Sequence, residues 1–307
     1  AKKVDSKYVV ASLEKGNKTK NIFADNLYKD IIDNSSNNST VFNAVLQNLV
    51  DQKFPVNDDM KEDAATIIKQ IKSAYKSNYG DNYKDSLNQA LTSAGYKNLS
   101  EYRQKMIKQI QYANFLLDYI DDHFDDVFND YYQQCAPKYV SLIKISVSDT
   151  SSPTDDETSK LNEVKELISN TDKSFGDIAQ DYSNDSTSSK KGSLGIVDSK
   201  DTSGIANSYG KDVFNAIEAL SEGQVSDVIT GDNGYYFVKV TSTDKKTLKK
   251  ELKKTDIDSP LLAYDDYLQY VVYNSYKINY KDKDIKKIVQ EVVNKALEER
   301  KTERGEA

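Results

Sequence analysis

The sequence is poor in the side chains that carry out covalent and metal chemistry. One cysteine, Cys135, and one histidine, His123, are all that its 307 residues contain. A single cysteine excludes an internal disulfide and leaves the compartment open, because such a chain suits bacterial secretion and cytosol equally. A single histidine excludes any site built on two imidazoles. No run of about 18 apolar residues occurs, so the sequence holds no transmembrane helix. Charge of one sign is not gathered anywhere: the net charge is −7, with lysines and aspartates interspersed, which argues against a dedicated nucleic-acid surface. The chain opens Ala1-Lys2-Lys3-Val4-Asp5, without Met or an apolar signal core. It therefore reads as a mature or trimmed form in which any export signal would be out of view.

What the sequence does have is wetted helix surface. Hydrophobic residues make up 37% and charged residues 30%, which suits an extended shape or a large cleft better than a compact enzyme. The length allows two domains. Residues 1–137 are mostly helical in pattern after a short strand, Tyr8–Leu13, closed by the turn Glu14-Lys15-Gly16-Asn17. Helices are expected over Ala24–Asp33, Val41–Asp51, Met60–Tyr79 and Ser86–Ala94, with a long run from Leu99 to Asp130 broken at most once. The texture then changes. Lys138–Val147 is β-rich, Asp155–Ser169 and Phe175–Tyr182 read as helices, and Ser183–Gly195 as a loop. Lys211–Leu220 is helical again, and Gln224–Thr230 and Tyr235–Thr241 read as strands. Asp244–Asp258 is a charged stretch, and the tail is helical over Pro260–Tyr273 and Asp282–Arg304. The expected fold class is α+β: a discontinuous helical domain from 1–137 plus 244–307, with a small domain of mixed or antiparallel sheet, 138–243, inserted into it.

Four blocks in the inserted segment carry a resemblance. They are Gly192-Ser193-Leu194-Gly195, the helix Asp212–Leu220, Glu222-Gly223-Gln224-Val225-Ser226, and Asn233-Gly234-Tyr235-Tyr236-Phe237-Val238. Each is weak alone, but in this order and at this spacing they resemble the signature run of parvulin-type peptidyl-prolyl isomerases. With its helical flanks, nearly the whole chain resembles the PrsA foldases of Gram-positive bacteria. That resemblance implies an exported lipoprotein chaperone on the outer face of the cell membrane. Its partners would be unfolded or partly folded secreted polypeptides, and it would need no cofactor. It would touch the membrane only through an N-terminal lipid on a cysteine that this sequence lacks.

The resemblance also assigns residues. The family's two histidines fall on Lys144 and Tyr236, and its Asp or Cys on Asp185. The pocket phenylalanine falls on Val213, with Phe214 one step out of register, and Leu194 and Asn233 complete the expected substrate contacts. Rotating an X-Pro bond means crossing a barrier of about 20 kcal/mol, without a covalent step, by favouring the twisted amide. Tyr236 offers a hydroxyl donor and Lys144 a cation near Asp185; an ordinary ion pair between the last two is the competing reading. Three functions stay open: a foldase or holdase with a degraded isomerase site, a working isomerase using Asp185, Lys144 and Tyr236, and a non-catalytic surface protein.

Other candidates are weaker. His123 stands in Asp121-Asp122-His123-Phe124-Asp125-Asp126, but on a helix only Asp126 shares its face, so a solvated acidic surface is expected and no metal. Cys135 reads as a passive, half-buried thiol, and Gly192–Gly195 lacks the spacing of a phosphate loop. The 22 tyrosines and 9 phenylalanines concentrate in helical segments, where they pack the front helices against the tail, line a cleft that holds unfolded chains, or do both; on the foldase reading client recognition is expected mainly in that cleft.

Overall fold

The computed structural model describes residues 7–15, 18–253 and 256–306. Along the chain a hairpin of β1 (Val9–Lys15) and β2 (Lys18–Phe23) leads into α1 (Ala24–Ile32), α2 (Asn38–Lys53), α3 (Asp58–Tyr79) and α4 (Tyr83–Ser93). Then come α5 (Leu99–Asp122), α6 (Phe124–Cys135), β3 (Lys138–Ser146), α7 (Asp155–Asn170), α8 (Phe175–Tyr182) and β4 (Ser193–Val197). The chain continues through α9 (Ile205–Tyr209), α10 (Lys211–Ala219), β5 (Ile229–Gly231), β6 (Gly234–Ser242) and α11 (Lys245–Leu252), and ends in α12 (Leu268–Ser275) and α13 (Lys283–Glu303).

Two compact units result. One joins Ala1–Leu116 to Tyr267–Ala307, and the other is Leu117–Asp266. The expected boundaries were at 137/138 and 243/244, so the segments 117–137 and 244–266 fall with the sheet. His123 is accordingly in the sheet-containing unit and not in the helical one. Of the expected closing turn of β1, Gly16 and Asn17 lie outside the described residues, and β2 was not foreseen.

The helical unit is held by aromatic rings at helical spacing. Phe42 of α2 is fully buried, 4.9 Å from the ring of Tyr270 and 5.2 Å from that of Tyr273. Phe115 stacks on Tyr276 at 5.7 Å, and Tyr112 donates to Gln269 at 2.8 Å. Front and tail rings thus form one core within this unit. The side chain of Asn57 caps α3 by accepting from the Met60 amide at 2.9 Å, with Asp58 and Asp59 in the first turn, as the Pro55–Asp59 break predicts.

The second unit is a three-layer sandwich. Its sheet has the order β4-β3-β6-β5 and is antiparallel throughout. On one face Val140, Leu142, Tyr236 and Val238 pack against Ile205 of α9 and Val213 and Ile217 of α10. On the other, Ile143, Ile145 and Phe237 meet Leu161 and Val164 of α7 and Phe175 and Ile178 of α8. The period-two alternation of β3 and β6 creates both faces, so each strand is apolar almost throughout. A capping box at Thr154 and Glu157 starts α7, and Ser174 caps α8.

Several boundaries differ from expectation for identifiable reasons. The long run breaks once, at His123, whose ring stacks on Tyr119 at 4.1 Å. The end of the expected loop 183–195 is strand β4, disguised by its Ser-Gly composition. Gly192, at φ +75°, is required there, since a Cβ would stand 2.4 Å from the Leu142 carbonyl oxygen. The strand expected at Gln224–Thr230 shrinks to Ile229–Gly231. Val225 keeps only a single bridge to Lys239, and the Ser226 hydroxyl takes the Val238 amide at 3.0 Å in place of a main-chain partner. The charged stretch after Asp244 contains α11, capped by Asp244.

Candidate functional site

Tyr236 and Lys144 face each other across the two central strands. They are direct register partners on β6 and β3 and share the face covered by α10. The Lys144 ammonium lies 5.7 Å from the centre of the Tyr236 ring, a cation–π distance. Lys144 is also fixed through its main chain, which donates to Ser183 Oγ at 3.0 Å and accepts from the Asn184 amide at 2.8 Å. These two bonds carry the loop after α8 onto the strand. They place Asp185 beside the pair.

A pocket of about 670 Å³ opens here, lined by Lys144, Asp185, Tyr209, Val213, Asn233 and Tyr236, with Ile229–Asp232 forming a further wall. Five of the seven residues expected from sequence therefore come together. The other two do not: Phe214 packs half-buried against the core cluster outside the lining, and Leu194 lines a different groove. The helix periodicity explains Phe214, since Val213 and Ile217 take the face that meets the sheet and residue 214 is rotated away by one step.

The hydrogen bonds differ in detail from the expected arrangement. The Tyr236 hydroxyl donates to Asn233 Oδ1 at 2.7 Å, so Asn233 holds the phenol as well as lining the pocket. The turn that makes this possible is Asp232-Asn233, one residue ahead of the expected Asn233-Gly234, with Gly231 and Gly234 as the flanking pair. Gly231 is packed under the ring: a Cβ there would lie 2.7 Å from Tyr236 Cε2. Asp185 accepts from the Thr187 amide at 2.9 Å and the Thr187 hydroxyl at 2.6 Å, capping the short turn that follows. Among the described residues no ion pair joins Lys144 to Asp185.

Tyr209 is the residue that sequence reasoning missed. Its ring stands edge-on to Tyr236 at 6.2 Å, and its hydroxyl donates to Asp185 Oδ1 at 3.4 Å. Burial, then the neighbouring Asp185 carboxylate, pushes its phenol up to about 12. Burial, with Asp185 and Asp232 nearby, also raises the Tyr236 phenol above its ordinary value. Both rings therefore remain neutral hydrogen-bond donors at physiological pH. The available signal was the position of Tyr209 four residues ahead of Val213. Gly210 between them hid it by breaking the helical pattern.

The site thus offers an aromatic corner, an aliphatic floor at Val213 and Ile229, the ammonium groups of Lys144 and Lys211, and the carboxylates of Asp185, Asp212 and Asp232. Such a cavity suits a compact apolar ring joined to a polar amide. Its lining contains no cysteine and no histidine. His123 lies outside its lining, and among the described residues no cluster of His, Cys, Asp and Glu is fit to hold a metal. Cys135 is fully buried at the end of α6, where half-burial was expected.

Comparison with known proteins gives a family match within this unit. The family model described as rotamase, the PPIC-type PPIase domain, matches residues 142–242. A foldase protein PrsA of Staphylococcus epidermidis is 32% identical over 141 residues, which cover 44% of this chain and 41% of that protein, and a Staphylococcus aureus PrsA matches to the same extent. The match thus spans about two-fifths of the length of those relatives. A crystal structure of PrsA from Bacillus subtilis aligns over 92% of this chain and 98% of its own, at 22% identity and a TM-score of 0.41. The pocket holding Lys144, Asp185 and Tyr236 lies inside the matched segment. Residues 142–242 match the PPIC-type PPIase domain, and the chain that carries them is similar to the PrsA foldases.

Proposed function

We propose that this chain is a foldase that acts outside the cytoplasm on unfolded or partly folded secreted polypeptides, and that its PPIC-type domain receives their prolyl segments in the Tyr236 pocket. The observation that carries this reading is the coincidence of the family match with a pocket built from Lys144, Asp185 and Tyr236. Attachment to the outer face of the membrane, through a lipid on the N-terminal side, belongs to the same reading. Among the described residues no helix is long and apolar enough to cross a membrane.

The pocket's part in the reaction follows from its groups. As an X-Pro bond twists, conjugation is lost and the nitrogen gains lone-pair character, so the barrier of about 20 kcal/mol falls only if the twisted form is bound better than the planar one. Val213, Ile229 and the rings of Tyr209 and Tyr236 would hold the pyrrolidine. The Lys144 ammonium and the neutral phenols would stabilise the carbonyl oxygen and pyramidal nitrogen. With no imidazole pair, turnover is expected to be slow and binding to be the larger contribution.

A protease-coupled isomerisation assay on a series of Xaa-Pro tetrapeptide anilides tests the enzymatic part. A rate above background that falls in Tyr236→Phe and Asp185→Ala supports it; no rate at micromolar protein, with peptide binding retained, leaves a binding module. Suppression of the aggregation of an unfolded client by the whole chain tests the foldase part, and failure of the intact protein to suppress it contradicts that part.

A further inference from the structure

A second groove in the sheet-containing unit lies outside the Tyr236 pocket and shares no lining residue with it. It measures about 630 Å³ and runs between β4, at Leu194, Gly195 and Ile196, and the segment Ile257–Ala263. β4 is the terminal strand of the order β4-β3-β6-β5, so one side of its main chain has no strand beside it. In an antiparallel edge strand every second residue turns its N–H and C=O away from its neighbour, ready for another chain. Among the described residues no main-chain hydrogen bond runs from Leu194–Ile196 to residues 251–263. The strand is half-buried along most of its length rather than covered.

The walls identify the occupant. Leu252, Ile257, Pro260 and Leu262 supply apolar surface, while Glu251 and Asp258 are exposed at the rim. Among the described residues no lysine or arginine lines the groove, and neither carboxylate makes an ion pair. A bulge at Leu194, where Val140 pairs with Gly195 and Ser141 with Ser193, interrupts the edge. It prevents a long strand of a second copy from pairing side by side and leaves only a short stretch on offer. We propose that this groove binds a short extended polypeptide segment, apolar with basic residues between, which adds to the edge of β4. The site does not require proline and does not depend on the reading of the Tyr236 pocket. Main-chain hydrogen bonds would give it tolerance of sequence, and the two carboxylates a preference in charge.

The test uses the whole chain and a fluorescein-labelled, proline-free decapeptide alternating valine and lysine, with a valine–glutamate decapeptide as control. Fluorescence anisotropy is expected to show saturable binding of the lysine peptide. The double variant Glu251→Lys/Asp258→Lys, both positions being exposed, should weaken it by about tenfold and reverse the preference between the two peptides. Hydrogen exchange should show new protection at the amides of residues 194–197. Leu262→Arg, which fills the groove, should abolish binding, with unchanged circular dichroism confirming the fold. Absence of saturable binding, an affinity indifferent to charge reversal, or protection confined to residues 229–236 would overturn the proposal.

Discussion

Tyr236 is the residue on which the site turns. Its surroundings fix it from three sides: Asn233 holds the hydroxyl at 2.7 Å, Tyr209 stands edge-on at 6.2 Å, and Gly231 leaves room under the ring. Gly231→Ala would put a methyl 2.7 Å from Tyr236 Cε2, and an overpacked contact of this kind costs about 1–3 kcal/mol. Urea denaturation should show that loss, accompanied by weaker binding of a prolyl tetrapeptide. Asn233→Ala removes one hydrogen bond to a partly buried hydroxyl and should cost about 1 kcal/mol of stability by the same measurement. Because Lys144 and Tyr236 are register partners, Lys144→His/Tyr236→His would face two imidazoles across the strands. The double variant is expected to raise the isomerisation rate by roughly tenfold or more, with a pH dependence in the histidine range. An unchanged rate would mean that the pocket's shape, and not its donors, limits turnover.

At the level of elements, the chain shows which parts of a fold its sequence declares. Strands β3 and β6 were legible because Val-Ile-Tyr-Phe runs of nine residues bounded by polar turns have few other uses, and α10 because Val213 and Ile217 keep its register. Strand β4 was not, because its Ser-Leu-Gly core resembles a loop; a carbonyl contact that only Gly192 permits decides the matter, and that contact is non-local. The site followed the same division. Lys144, Asp185, Val213, Asn233 and Tyr236 lie at the ends of regular elements and could be placed by motif, whereas Tyr209 depends on how α9 meets α10. The connection of α6 to the segment after β4 was also invisible in sequence. There the fully buried Asp198 accepts from Tyr131 at 2.8 Å, from the Lys200 amide at 3.0 Å and from Thr202. Asp198→Ala strands the Tyr131 hydroxyl and two amides together and should cost about 2–4 kcal/mol in thermal or urea unfolding. Tyr131→Phe, which keeps the other donors paired, should cost less than half as much.

Across the whole molecule, aromatic rings do what disulfides and proline-rich turns do elsewhere, and they make stability depend on alkaline pH. Burial raises the phenols of Tyr112 to about 12 and Tyr209 to about 12, and also raises those of Tyr131, Tyr236 and Tyr273. Each folded value exceeds the unfolded value near 10, so above that pH the unfolded chain loses protons that the folded chain keeps, and stability falls as pH rises. Below pH 10 these groups contribute no pH dependence. Unfolding followed by circular dichroism should be flat from pH 7 to about 9.5 and should steepen above 10, while the phenolate absorbance rises in two phases, exposed tyrosines first. A single phase near pH 10 would contradict the aromatic core. The large hydrophobic side chains that stay exposed, among them Tyr8, Leu27, Ile31 and Tyr79, lie in the helical unit and are open to a client's apolar segments, while the proposed recognition of prolyl segments belongs to the Tyr236 pocket of the sheet-containing unit.

That last point is open to one direct measurement. Titration of the isotope-labelled protein with an Ala-Pro tetrapeptide, followed by amide chemical shifts, should give saturable changes at Lys144, Asp185, Tyr209, Tyr236 and residues 229–233, and a matched peptide with alanine in place of proline should leave them unmoved. Shifts absent from those residues, or equal for the two peptides, would contradict the reading of the Tyr236 pocket as the prolyl site of a foldase.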